Sequence, residues 1–121
     1  MGWFSKSSAN AIDWTVLNRI EDLNQLLEDS NDKPIMIFKH STRCSISSMA
    51  KSRLENDWDL QEEVTPVYLD LISYREISNE IADRLKVMHQ SPQIILVKNG
   101  LVVHHASHNQ ISVSDVKTHL K

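Results

Sequence analysis

The sequence of 121 residues holds one cysteine, so it can form no internal disulfide. It has no long apolar run. The longest, such as Ile35–Phe38 and Ile94–Val97, fall far short of the ~20 residues needed to span a bilayer. The N-terminal stretch Met1-Gly2-Trp3-Phe4-Ser5-Lys6 lacks an apolar signal core, and Lys6 stands where a myristoylation pattern wants Ser or Thr. Basic charge is not in excess: 13 Lys and Arg face 16 Asp and Glu, a net charge of −3. No field attracts a phosphate backbone, so nucleic acid is excluded as an expected partner. Repeats, low-complexity tracts and linkers are missing too. The expectation from these absences is a cytoplasmic protein without membrane contact, in a compartment that keeps thiols reduced.

What is present suits a globular core. Hydrophobic residues make up 40% and charged residues 24%. A chain of this length buries roughly two thirds of its unfolded surface, enough to fold without cross-links. Residues 1–11 are small, polar and poorly patterned, and read as a flexible lead-in. Residues 12–121 read as a single domain.

Trp14–Leu17 reads as a short strand. Asn18 is then the expected N-cap, with Glu21 completing a capping box. Ile20, Leu23, Leu26 and Leu27 follow on one helical face. Pro34 opens a second strand, Ile35–Phe38, apolar on both faces as in a sheet covered by helices on both sides. Ile46, Met49, Ala50, Arg53 and Leu54 are spaced as one face of a second helix. Val64–Leu71 reads as a third strand, with Pro66 near its start. Ile77, Ile81, Ala82 and Leu85 mark a helix over 75–86. Ile94–Val97 and Leu101–Val103 flank Asn99-Gly100, a strong hairpin signal. A last helix starts near Ser112 or Ser114. The order βαβαβαββα predicts an α/β fold with a central mixed sheet flanked by helices. Helix-separated strands should pair in parallel at first and the terminal hairpin antiparallel.

Cys44 falls at the strand-to-helix junction after the second strand. Unpaired backbone N–H groups and the positive end of the helix dipole favour a thiolate there, and the thiolate is the nucleophile. Arg43 and His40 could add positive charge. A lone cysteine can also be a small buried hydrophobe. The polar neighbours Ser41, Thr42, Arg43 and Ser45 favour the reactive reading. Ser47 makes the pattern Cys-x-x-Ser and should lie beside the sulfur one turn on. It can hydrogen-bond a thiolate but cannot resolve a mixed disulfide, so an external thiol must finish the cycle.

From Phe38 to Ala50, Phe38-Lys39-His40-Ser41-Thr42-Arg43-Cys44-Ser45-Ile46-Ser47-Ser48-Met49-Ala50 resembles the active-site stretch of the bacillithiol-system YtxJ family, the monothiol bacilliredoxins. Ser91-Pro92-Gln93 and His105-Ala106-Ser107-His108 resemble that family too. Residues 34–104 look like a thioredoxin fold. Ser45 departs from the family's frequent Pro, and Phe38 stands in the region where dithiol thioredoxin buries an Asp. The resemblance implies that Cys44 attacks the mixed disulfide between a protein and bacillithiol or a similar low-molecular-weight thiol. That thiol would be a co-substrate, with no bound cofactor. S-thiolated proteins would be partners, and the small thiol or a flavin disulfide reductase would restore Cys44. It also implies a cis Pro92, with Ser91, Pro92 and Gln93 in contact with substrate. Two rivals remain: a non-catalytic interaction protein, and a sensor that stores oxidation on Cys44. His89, His104, His105 and His108 could suggest a metal. His104 and His105 are neighbours on one strand and should face opposite sides, so no metal site is assigned.

Overall fold

A computed structural model describes residues 12–120; the expected lead-in over 1–11 lies outside the described residues. The chain runs β1 (Thr15–Val16), α1 (Ile20–Asp29), β2 (Ile35–His40), α2 (Ser45–Asp57), β3 (Thr65–Asp70), α3 (Arg75–Leu85), β4 (Gln93–Lys98) and β5 (Leu101–Ser107). A short 3-10 turn, His108–Gln110, and α4 (Val113–Thr118) complete it. The 3-10 turn has no sequence signal that we identify.

The five strands form one sheet in the order β1-β3-β2-β4-β5. The first three pair in parallel, with Ile35–His40 opposite Thr65–Asp70. β4 is antiparallel to β2, although a helix precedes it. The parallel pairing expected at first therefore ends at β4, which makes the sheet mixed. Residues 86–92 lead the chain from α3 to β4, which begins at the sheet end where β2 and β3 finish. Lys86 turns this segment with a left-handed backbone, φ 56°. As a result the end of β2 lies beside the start of β4: Lys39 faces Gln93 across the ladder.

Every residue of β2 is buried. Met36 and Phe38 point to one core with Ala50 and Leu54 of α2 and Val113 and Val116 of α4. Ile35 and Ile37 point to the other, with Leu23 and Leu26 of α1 and Ile77 and Ile81 of α3. Two apolar faces on one strand need a helix layer on each side, which explains the sandwich. Each such side chain contributes roughly 1.5–3 kcal/mol on burial.

Two local readings are corrected. α1 is capped by Arg19 rather than Asn18, with no side-chain cap bond. Leu17 donates its N–H to the Tyr68 carbonyl at 2.9 Å, so the edge-strand pairing runs one residue further and delays the helix. On α2 the buried face is Ser47, Ala50 and Leu54, while Ile46 and Met49 face solvent. The hairpin is as read: Asn99 (φ 55°) and Gly100 (φ 76°) both take positive φ. Ser112 caps α4, accepting the Asp115 N–H at 3.1 Å. Among the described residues, no helix is long and apolar enough to cross a membrane.

Candidate active site

Cys44 is half-buried and is the N-cap of α2, with extended backbone angles φ −111° and ψ 123°. Its carbonyl accepts the first helical bond from Ser48 N–H at 3.0 Å, and its own N–H donates to the Ser41 carbonyl at 3.1 Å. Cys44 therefore stands at the helix start, where the amides of the first turn lack helical partners, although its side chain makes no cap bond to them. No acidic residue stands in that turn to oppose a negative sulfur. The cis Ser91–Pro92 bond lies just before β4, at the same end of the sheet.

Ser47 is corrected from its expected place. It is fully buried. Its hydroxyl lies 2.7 Å from His40 Nδ1 and accepts the Ser41 N–H at 3.0 Å. Among the described residues, no hydrogen bond reaches the Cys44 sulfur. His40 also departs from expectation. It is only 5% exposed, stacked on Phe38 at 5.5 Å and tilted against Tyr68 at 5.6 Å. Burial, then the nearby Lys51, holds its imidazole below the usual range, against the opposing pull of Asp70 and Glu55. At neutral pH it adds no positive charge to the thiol. Phe38 completes a ladder by stacking on Trp14 at 5.6 Å.

Thr42, Arg43 and Ser45 are exposed, and among the described residues their side chains form no hydrogen bond. Arg43 remains as an exposed cation one residue from the thiol. Pro92 is buried, and its carbonyl accepts the His108 N–H at 3.1 Å. Ser91 is half-buried with its hydroxyl unpartnered. Gln93 is corrected. Only 1% exposed, it donates to the Met88 carbonyl at 3.0 Å and accepts from Gln90 N–H at 3.4 Å. It braces the loop before Pro92 instead of facing a substrate.

The sequence reading missed a second polar cluster at this end of the sheet. Lys39 is fully buried, its Nζ donating to the Ser78 carbonyl at 3.2 Å and lying 3.3 Å from His89 Nδ1. Burial, then Arg75, lowers its pKa to about 8. His89 is held low by burial and by Lys39, so its Nδ1 can accept from the ammonium. A usable signal existed: Ser78 interrupts the apolar face of α3 between Ile77 and Ile81. The histidines 104, 105 and 108 do not converge. His104 stacks on His119 at 4.1 Å, while His105 and His108 are exposed. Among the described residues, no group of three potential ligands could hold a metal.

Solved structures share this architecture. A protein assigned by inference as an oxidoreductase with a thioredoxin fold is 29% identical, with a TM-score of 0.78 over 95% of this chain and 97% of its own. Mitochondrial thioredoxin 3 from Saccharomyces cerevisiae, in its oxidized form, is 18% identical with a TM-score of 0.66, covering 88% of this chain and 92% of its own. Fasciola hepatica thioredoxin is 20% identical with a TM-score of 0.67, over 88% and 98%. The two thioredoxins establish the thioredoxin fold, and the first structure adds support for a thiol–disulfide redox function. The family model described as monothiol bacilliredoxin BrxC matches residues 15–116, which takes in the β2–α2 thiol, the cis-proline loop and most of α4, so the chain belongs to the monothiol bacilliredoxin family.

Proposed function

We propose that this protein is a monothiol exchange enzyme that removes a low-molecular-weight thiol, bacillithiol in this family, from protein mixed disulfides. The observation that carries the reading is a single half-exposed thiol at a helix start, with Ser47 in the place of a second thiol. The Cys44 thiolate attacks the small-thiol sulfur of the mixed disulfide. A new S–S bond forms to Cys44, the old one breaks, and its electron pair leaves on the protein sulfur. A second small thiol, as thiolate, then attacks the Cys44 adduct. It releases Cys44 and leaves as a symmetric disulfide, which a flavin disulfide reductase would reduce. The cycle suits a thiol-reducing compartment such as the cytoplasm.

Two surface features support this reading. Ile46, Met49 (62% exposed), Ile72, Tyr74 and Met88 (81% exposed) all lie at the sheet end that bears Cys44, an apolar rim for an S-thiolated protein. The Ser91 backbone would pair with the segment around the substrate cysteine. An open surface groove lined by Ser48, Met49, Ser52 and Arg53 begins one helical turn past Cys44 and offers room for the small thiol.

The test is a bacillithiolated protein incubated with the enzyme and followed by intact mass. The expected result is loss of the adduct from the substrate and its appearance on Cys44, with both changes absent in Cys44→Ser. Release by Cys44→Ser at the parent's rate refutes the proposal. Modification of Cys44 without release of substrate favours a sensor.

A further inference from the structure

The contact that separates this site from its sequence reading is the Ser47 hydroxyl. It turns away from the sulfur into a buried polar junction with His40 and Ser41. The Ser41 peptide is gripped at both ends: its N–H by Ser47, its carbonyl by the Cys44 N–H at 3.1 Å. Two hydrogen bonds thus fix the turn that delivers Cys44 to the N-cap. The imidazole that meets Ser47 is itself fixed, between Phe38 and Tyr68, and Phe38 rests on Trp14. The Trp14 indole donates to Glu55 at 3.0 Å, and Lys51 donates to the same carboxylate at 2.8 Å, so the ladder is anchored to α2 itself.

We infer that His40 and Ser47 are positioning residues that act through the Ser41 peptide to hold Cys44 at the N-cap of α2. The Ser47 oxygen accepts the Ser41 N–H, and with the Nε2-protonated tautomer its hydroxyl donates to His40 Nδ1. A neutral imidazole has one acceptor nitrogen, which matches this use. The charged groups around the ring are Lys51, Asp70 and Glu55. Without the junction, Ser41 N–H loses its acceptor and the 41–44 turn loosens. Cys44 is then no longer held in one place at the positive end of the helix dipole. The inference extends the reading of Cys44 as the nucleophile, but its test needs no disulfide substrate, so the two can fail separately.

The test is the rate of Cys44 alkylation by iodoacetamide across a pH series, with urea unfolding measured on each variant. Ser47→Ala removes the hydroxyl. His40→Phe keeps the stacked ring and removes its nitrogens. His40→Asn restores a polar group at the Nδ1 position. Ser47→Ala and His40→Phe are expected to slow alkylation about tenfold across the pH series. His40→Asn is expected to recover most of the parent's profile. A purely structural role would lower the unfolding midpoint and leave the alkylation rates unchanged, and that result overturns the inference. If Ser47→Ala does not fold, His40→Phe against His40→Asn decides the question.

Discussion

Lys39 shows how strongly one buried charge can bend a stability profile. Its ammonium is sealed between β2 and α3, and burial brings its pKa from 10.5 to about 8. Between those two values the unfolded chain keeps a proton that the folded chain has released. Stability therefore rises with pH across that window, and the full cost of burying the ammonium is present below pH 8. Lys39→Met keeps the apolar stem and removes the charge. It is expected to be at least as stable as the parent below pH 8 and to lose the gain towards pH 10.5, read by urea unfolding at both ends. A parent and variant that change in parallel across the window would remove the assignment. The lysine's place was hidden in the sequence because a cation closing an apolar strand ordinarily emerges into water. Only α3 and His89, folding over it, keep it dry.

Among the elements, the β4–β5 hairpin and α2 differ in how much of them could be read. Asn99-Gly100 names its turn because both residues must take positive φ, a constraint that lies within two residues. The tip is then pinned to the end of α1, where the Asn99 and Gly100 N–H groups donate to the Ser30 carbonyl and hydroxyl, each at 2.8 Å. An alanine Cβ at Gly100 would meet no atom within 4 Å, so the cost of Gly100→Ala comes from its left-handed backbone alone. The expected loss is about 1 kcal/mol in urea unfolding. Cys44 alkylation should be unchanged, since the turn lies at the opposite end of the sheet. A slower alkylation would show that the hairpin is coupled to the site. In α2 the spacing of Ile46 and Met49 suited an inward face. Its first turns instead project past the sheet end, and the core takes Ser47, Ala50 and Leu54. Periodicity gives the helix but not its rotation when a polar residue has a buried partner.

Across the whole molecule, burial suppresses charge on three histidines in different places. His40 lies at the end of β2, His89 before the cis-proline and His104 on β5. Each is held below its ordinary 6.5 chiefly by burial. An unfolded chain therefore takes up protons below pH 6.5 that the folded chain refuses, and stability falls as the pH drops through that value. The urea midpoint is expected to decline steadily on acidification from neutral, well before the carboxylates protonate. His89→Gln and His104→Gln should each flatten the slope. A midpoint that stays level through this range in the parent would show that the histidines are not charged on unfolding alone.

The sequence by itself determined the thioredoxin-like order of elements, the hairpin turn, the thiol at a helix start and the family. Each of these is written in local signals: the alternation of apolar runs, Asn99-Gly100, and Cys44 followed by Ser47. Only the tertiary structure decided that β4 runs against β2, that Gln93 and Ser47 turn inward, that His40 is neutral and that Lys39 is buried. The physical reason is common to all four. Direction, solvation and partner choice depend on how separate elements meet, such as His40 of β2 with Ser47 of α2, Lys39 with His89, and β2 with β4. Those contacts form only when the sheet and both helix layers are in place.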